Sequence, residues 1–278
     1  MRIKLPVVLL CVYLCLFCSK AFTQSLRYSI SMPYISLGAY TTKQTDPFSF
    51  TNNQAALAQV KSSGAGVYGE RRFLLAENTV YGVALTFPTK LGNFGVQANY
   101  AGFKNYTENK LGLAYARSLG SKVDVGVQFN YYGYRIPGYN STTFINFEAG
   151  TILHLTDKLN AGIHVYNPVG VKGGKKSEEK LASVYKFGLG YDASDNFYVS
   201  TELIKEEDKP VNVVGGIQYH FLKQFFVRAG FISETGGGFV GAGVGWKNLR
   251  LDVSASYHPQ LGISPGLLLI INFKDSNK

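Results

Sequence analysis

The sequence predicts an all-β protein, an up-and-down antiparallel transmembrane β-barrel of about 14 strands with a short N-terminal plug. Short stretches between Gly64 and Phe273 alternate apolar residues with small or polar ones, and a turn follows each stretch. The alternation is clearest from Val123 to Tyr131 and from Leu249 to Tyr257. Successive side chains of a strand point to opposite faces, so each stretch has one apolar face for lipid and one polar face for a lumen. The composition agrees, with 19 Phe, 19 Tyr, 31 Gly and a mean hydropathy of zero.

The N-terminus has the features of a secretory signal peptide, which we place at residues 1–23. A basic start precedes an apolar run from Leu5 to Phe17, which is too short for a spanning helix, and small or polar residues follow it. All 3 cysteines lie in this segment, so the exported chain is expected to contain neither a disulfide nor a reactive thiol. Cleavage lowers the formal charge from +10 to +7, and the remaining basic residues are dispersed, which argues against nucleic-acid binding.

Residues 24–62 differ from the rest of the chain and are interpreted as a plug inside the barrel. Ile35–Tyr40 is compatible with a short strand, and Thr51–Val60 with one short helix capped by Thr51 or Asn52. The apolar side chains of this segment need a surface to pack against, which favours a plug over the alternative, an unstructured leader.

The barrel is predicted to span residues 63–273, with a tail at 274–278. Tight links alternate with longer ones, as expected of short periplasmic turns and longer outer loops. The predicted strands are 63–74, 78–88, 92–103, 107–119, 122–135, 142–156, 158–168, 182–193, 196–206, 211–222, 224–234, 237–247, 249–258 and 264–273.

Small and charged residues are expected to face the lumen. Glycine in a strand marks a bend or a close approach, so either the plug occupies the lumen or small residues let a narrow barrel close. The small inward positions are Gly112, Ala114, Ala116, Gly188, Gly190, Gly241, Gly243 and Gly245. The charged inward positions are Glu70, Arg72, Asp124, Glu148, Lys186, Glu202, Arg228, Arg250 and Asp252. Such charges are expected to pair with one another; a selectivity lining or a catalytic carboxylate is the alternative.

No motif of an enzyme is present in the sequence, and no catalytic, cofactor-binding or metal-binding residue is predicted. The 4 histidines stand singly on separate predicted strands, without the spacing of a zinc motif. The glycine-rich stretch Gly170–Lys176 lacks the glycine spacing and the Ser or Thr of a phosphate-binding loop, and is interpreted as a solvated outer loop.

Three stretches of the plug sequence, Leu37–Tyr40, Asp46–Ser49 and Asn52–Ala58, are followed directly by an aromatic first strand. In these stretches the sequence resembles the leader of the FadL/PorV group of bacterial outer-membrane barrels, in particular its small Bacteroidetes-type members. Gln54 and Ala56 stand where that group usually has Pro and Gly. The resemblance implies a bacterial outer-membrane location, a lipid environment, and a barrel of about this strand number.

Two functions are consistent with this resemblance. The short outer loops and glycine-rich lumen favour an accessory or scaffold subunit of an outer-membrane secretion or assembly complex, with protein partners. The alternative is passive uptake of hydrophobic small molecules, as in fatty-acid transporters, which requires an apolar path and a lateral opening near Pro168 or Pro265, where strand pairing is expected to break. A channel, an adhesin or an enzyme is the third interpretation.

Overall fold

The computed structural model describes residues 38–138, 141–173 and 180–273. The predicted signal peptide, the first part of the predicted plug (24–37) and the tail 274–278 lie outside these residues. Within the described ranges, no helix is both long and apolar enough to cross a membrane.

The chain forms a closed barrel of 14 strands in which every strand is antiparallel to both of its neighbours, and β1 closes the barrel by pairing with β14. The predicted fold class and strand number are therefore confirmed. The strands are β1 Gly64–Arg71, β2 Thr79–Thr89, β3 Gly92–Phe103, β4 Tyr106–Leu119, β5 Val123–Arg135, β6 Thr142–His154, β7 Leu159–Tyr166, β8 Val184–Asp192, β9 Phe197–Glu206, β10 Asn212–His220, β11 Phe225–Ile232, β12 Gly237–Trp246, β13 Leu249–His258 and β14 Gly262–Asn272.

The distribution of polarity is inverted relative to a water-soluble protein. Outward side chains such as Phe129 and Ile145 are 63% and 72% exposed, whereas the inward Gln128 and Asn130 on the same part of the wall are at most 1% exposed. Apolar side chains therefore cover the outside of the barrel, and polar ones fill its interior, as the alternating pattern predicts.

A charge placed on this outer face is expected to prevent stable insertion in a depth-dependent way. Phe129→Arg, near the middle of β5, should destabilise the inserted barrel by about 2–4 kcal/mol, whereas Val123→Arg, at the end of the same strand, should cost about 0–1 kcal/mol. Urea unfolding in lipid vesicles measures both. Equal costs at the two positions would show that the outer face of β5 is assigned wrongly.

The two ends of the barrel differ, and we name them by their contents. The terminal end holds the start of β1, the end of β14 and 6 links of 2 to 4 residues. The loop end holds the remaining links, of which the longest, residues 167–183, joins β7 to β8. This asymmetry is typical of a barrel whose terminal end faces the periplasm.

Strand β1 ends earlier than the sequence predicts. Phe73 and Leu74 have φ values of 56° and 58°, in the left-handed region, so the chain leaves the sheet after Arg71. The Phe73 backbone N–H donates to Ser264 Oγ at 2.9 Å instead of pairing with a strand. In short 3-10 turns, Arg72–Leu74 and Ala76–Asn78, the chain then returns to β2.

The prediction of one helix over Thr51–Val60 is wrong. Two 3-10 turns, Ser49–Thr51 and Gln54–Gln59, replace it, and the residue that caps the second is Asn53, whose side chain accepts from the Ala55 N–H. The break occurs because Asn53 has extended backbone dihedrals. The strand suggested for Ile35–Tyr40 is also wrong in its described part, since Gly38 and Ala39 are helical and Tyr40 lies in a turn.

Candidate functional site

Residues 38–62, called the plug from here on, lie inside the terminal half of the barrel against inward glycines. A Cβ on Gly188 would lie 2.1 Å from Tyr40 Cζ, and one on Gly126 would lie 2.4 Å from the backbone of Gln54. No side chain fits at these positions while the plug is in place. The other inward glycines that contact the plug are Gly64, Gly66, Gly95, Gly150, Gly162 and Gly190.

The two explanations for the inward glycines each hold in a different part of the lumen. Gly188 and Gly190 make room for the plug, as the plug interpretation requires. Gly112 instead accommodates the side chains of Gln128 and Asn130, and Gly243 accommodates Phe226. On these strands, small residues let the wall's own side chains close the lumen.

An apolar cluster anchors the plug to the wall of β1, β2, β4 and β14. Phe48, Phe50 and Leu57 are at most 2% exposed, and they pack against wall residues that include Leu268 and Ile270. The wall thus provides the surface that the apolar side chains of this segment were predicted to need.

Polar side chains of the plug bind carboxylates of the wall. The Tyr40 hydroxyl donates to Glu202 Oε1 at 2.6 Å, and Asn52 Nδ2 donates to the same oxygen at 2.9 Å. Lys186 Nζ in turn donates to Asn52 Oδ1 at 2.5 Å. Burial, together with the adjacent Glu202 carboxylate, raises the pKa of Tyr40 well above its ordinary value, so the hydroxyl stays a donor. Three further wall carboxylates are bound from the plug: Asp192 by Thr41, Glu148 by Gln54, and Asp124 by Gln59.

Glu148 is the centre of a buried polar cluster at mid-height of the barrel. Its Oε1 accepts from Lys110 Nζ at 2.9 Å and from Asn130 Nδ2 at 2.7 Å, while its Oε2 lies 3.1 Å from His164 Nε2. The side chains of Lys110 and Glu148 are each 2% exposed. This cluster closes the lumen beside β4 to β7 with hydrogen-bonded polar groups, so an apolar molecule would lose hydrogen bonds by passing through it.

Eight of the nine charged residues predicted to face inward do so, whereas Arg72 lies in a 3-10 turn beyond the end of β1. Most of the nine pair as expected. The ion pairs are Glu70 with Arg72, Lys186 with Glu202, Asp252 with Arg228 and Arg250, and Glu148 with Lys110. Asp124 and Glu148 also lie within hydrogen-bond distance of His154 and His164. The sequence analysis missed Lys110, although it lies two residues from Gly112 on the same face of β4. Within the described ranges, no group of three or more His, Cys, Asp or Glu residues is arranged to hold a metal ion.

Above the polar cluster, an apolar cluster lies at the loop end of the lumen, beside the buried Glu108, which accepts from the Tyr132 hydroxyl at 3.0 Å. Tyr132, Phe144, Val80 and Ala101 of the wall form one cluster with Leu181 of the β7–β8 link, and each is at most 2% exposed. The link is held in place where Asn167 Nδ2 donates to the Leu181 carbonyl at 2.6 Å. This cluster, called the apolar layer, thus lies above the hydrogen-bonded cluster around Glu148, called the polar floor.

A gap in the wall opens beside this apolar layer. Pairing between β1 and β14 stops at Glu70 and Gly266, because β1 ends one residue later while β14 continues to Gly262. Pro265, one of the two positions at which the sequence analysis placed a break, has no N–H to offer a neighbour on this side. The other, Pro168, lies beyond the end of β7 and outside the sheet.

The gap forms an open depression of about 670 Å³ on the lipid-facing surface. Its outer lining includes Gly69, Tyr81, Val253 and Leu267, and its inner lining includes Glu70. The gap therefore ends inward at the buried Glu70, whose ladder partner Val80 belongs to the apolar layer.

A second cavity, of about 620 Å³, lies at the terminal end between residues 42–47 and 59–62 of the plug. Its lining is polar and includes Lys43, Asp46, Lys61, Asp195 and Asn272. The exposed Lys43 ammonium donates to Asp195, which lowers the pKa of that carboxyl.

The structure is similar to those of several solved outer-membrane barrels. The Ralstonia pickettii toluene transporter TbuX matches with a TM-score of 0.66 at 11% identity, over 90% of this chain and 100% of that chain. A Pseudomonas aeruginosa FadL homologue matches with a TM-score of 0.59 at 10% identity, over 90% and 97% of the two chains. The chain has the FadL-like outer-membrane barrel fold.

A further outer-membrane barrel has a similar structure. The Acinetobacter baumannii outer membrane protein Omp33 matches with a TM-score of 0.53 at 10% identity, over 76% of this chain and 98% of that chain. The fold is thus that of bacterial outer-membrane barrels. By sequence, the chain matches no protein-family model and no curated protein.

Proposed function

We propose that this FadL-like barrel takes up hydrophobic small molecules passively, and that they leave the lumen sideways through the wall gap at Pro265. The observation that carries the proposal is the position of that gap, which lies beside the apolar layer and above the polar floor. An apolar solute that reaches the layer from the loop end could pass the cluster around Glu148 only by breaking its hydrogen bonds, whereas the gap leads past Glu70 to a mostly apolar lining at the membrane.

The comparisons support this proposal over the scaffold interpretation. A toluene transporter is among the similar structures, and none of the neighbours supports a role in secretion or assembly. The similarity extends over 100% of that transporter's chain, although at 11% identity it concerns the fold and not the ligand.

Filling the gap tests the route. Gly69 faces outward in the gap, and a Cβ there would lie 3.6 Å from the Tyr81 ring, an ordinary contact, so Gly69→Trp is expected to fold and to fill the depression. The initial rate of toluene uptake by cells producing this variant should fall to that of cells without the barrel.

Gly133 supplies the matched control. It also faces outward, on β5, away from the gap, and a Cβ there would meet Thr143 Cγ2 at 3.4 Å. Gly133→Trp should therefore leave uptake unchanged. Undiminished uptake by a correctly inserted Gly69→Trp barrel would exclude the gap as the route.

A further inference from the structure

The depression at the wall gap has one exposed arginine on its rim. Arg71, the last residue of β1, lines the depression and is exposed. Its neighbour Arg72 is partly buried, and Arg72 Nε lies 3.6 Å from Glu70 Oε2, so the carboxylate of the lining is paired from within the chain. Among the residues that the structure describes, no carboxylate pairs with the Arg71 guanidinium.

Outward tyrosines place this arginine at the level of lipid headgroups. Tyr81 pairs with Gly69 across the β1–β2 ladder and with Tyr100 across the β2–β3 ladder, and both tyrosine rings are exposed on the outer face. In membrane barrels, aromatic residues collect where the hydrocarbon meets the headgroups. Arg71 lies two residues beyond Gly69 toward the loop end, about 7 Å at the usual rise of a strand, and therefore reaches the headgroup region.

On the terminal side of the arginine, the sides of the depression are formed mainly by apolar groups. Val253, Leu267 and the Tyr81 ring form these sides and are exposed, while Gly69 adds no side chain. The volume of about 670 Å³ lies within the range of about 300–1,000 Å³ that is usual for small-molecule sites. An apolar chain can therefore lie in the depression with its polar end at Arg71.

The link between β1 and β2 adds apolar surface beside the rim. Leu74 and Leu75 are 59% and 50% exposed, and the next residue, Ala76, lines the depression. The acidic residue of this link, Glu77, is exposed but does not line the depression. Contiguous exposed apolar residues mark a surface that contacts a membrane or a partner, and here they adjoin the lipid-facing wall.

We propose that the depression is a binding site for an anionic membrane lipid, with one acyl chain along Val253 and Leu267 and the phosphate headgroup on Arg71. A guanidinium donates two parallel N–H bonds to a phosphate, and its charge selects an anionic headgroup over a zwitterionic one. The site goes beyond solute uptake, because the lipid binds whether or not a solute passes the gap.

Native mass spectrometry of the purified barrel tests this site. Phosphatidylglycerol is the anionic probe, and phosphatidylcholine with the same acyl chains is the zwitterionic one. The unmodified barrel should retain phosphatidylglycerol in preference. Arg71→Gln should weaken its retention about fivefold, as expected for one cation near an anionic lipid, and should leave the retention of phosphatidylcholine unchanged.

Arg135 supplies the matched control for the charge. It is the last residue of β5, as Arg71 is of β1, and it is exposed at the same end of the barrel. It lies four strands from β1, about 19 Å along the wall, which exceeds the screening length of about 8 Å at physiological salt. Arg135→Gln should therefore leave the retention of phosphatidylglycerol unchanged.

A second pair of variants tests the depression itself. Gly69→Leu fills it without a clash, since a Cβ there lies 3.6 Å from the Tyr81 ring, and should also reduce the retention of phosphatidylglycerol. Gly133→Leu, on the outer face of β5, should not. Inorganic phosphate should not displace the lipid, because it lacks the acyl chain that fills the depression.

Three results would overturn the proposal. The first is equal retention of the two lipids by the unmodified barrel, and the second is a loss in Arg71→Gln that Arg135→Gln reproduces. The third is displacement of the lipid by inorganic phosphate, or a Gly69→Leu barrel that retains it as Gly133→Leu does. Since no solute is present in these measurements, a negative result would leave the proposed uptake function standing.

Discussion

Replacing Glu148 by leucine is expected to destabilise the barrel more than a charge on its lipid-facing surface does. The substitution leaves the Lys110 ammonium, 2% exposed, without its carboxylate, and it removes the acceptor of Gln54, Gln128 and Asn130. Breaking a buried pair from one side costs about 3–5 kcal/mol, because the remaining charge is uncompensated. Urea unfolding in lipid vesicles, followed by gel mobility without heating, measures the change.

Two controls separate charge burial from lost packing. Glu207→Gln breaks the exposed pair with Lys180 and should cost about 0–1 kcal/mol. The double variant Glu148→Leu with Lys110→Met removes both charges and should recover much of the loss, since apolar replacements of a buried pair are often close to neutral. If Glu148→Leu is as stable as Glu207→Gln, the central cluster does not hold the lumen together.

The second large effect is expected at Gly188. Valine there must displace the Tyr40 ring, which a Cβ would approach to 2.1 Å, and so break the hydrogen bond from Tyr40 to the buried Glu202. Overpacking of this kind costs about 1–3 kcal/mol, and loss of a hydrogen bond to a charged group costs about 1.5–3 kcal/mol. We expect the plug to leave its position.

Thiol labelling detects such a movement. Residues 24–278 contain no cysteine, so a cysteine introduced at Ala55, which is 0% exposed, reports on the plug alone. The Gly188→Val barrel should label readily with maleimide, whereas Gly245→Val should stay protected because a Cβ at Gly245 meets nothing closer than 3.9 Å. Equal protection in both would contradict the contact between Tyr40 and β8.

The barrel could be predicted from the sequence because its signal is repeated in every strand. Alternation of lipid-facing and lumen-facing side chains has a period of two residues, so each strand indicates its own register. Eight of the nine charged inward positions followed from it, and the ninth, Arg72, did not because β1 ends before it. The same signal would have found Lys110, which lies on the face already assigned inward through Gly112.

The plug and the wall gap depend on contacts between distant residues, which periodicity does not encode. The apparent helix at Thr51–Val60 breaks at Asn52 and Asn53, where Asn52 binds Glu202 and Lys186, which lie 150 and 134 residues further along the chain. Proline correctly marked the place where the β1–β14 pairing ends, but the early end of β1 comes from the left-handed residues Phe73 and Leu74, which no local pattern indicates.

The initial rate of toluene uptake is the measurement that tests hydrophobic uptake most directly. Cells that lack other barrels of this type would be compared with and without the protein, using radiolabelled toluene. We expect a saturable increase in the initial rate when the barrel is present, and Gly69→Trp should abolish it. An unchanged rate with a correctly inserted barrel would contradict the proposed function and return attention to a scaffold role.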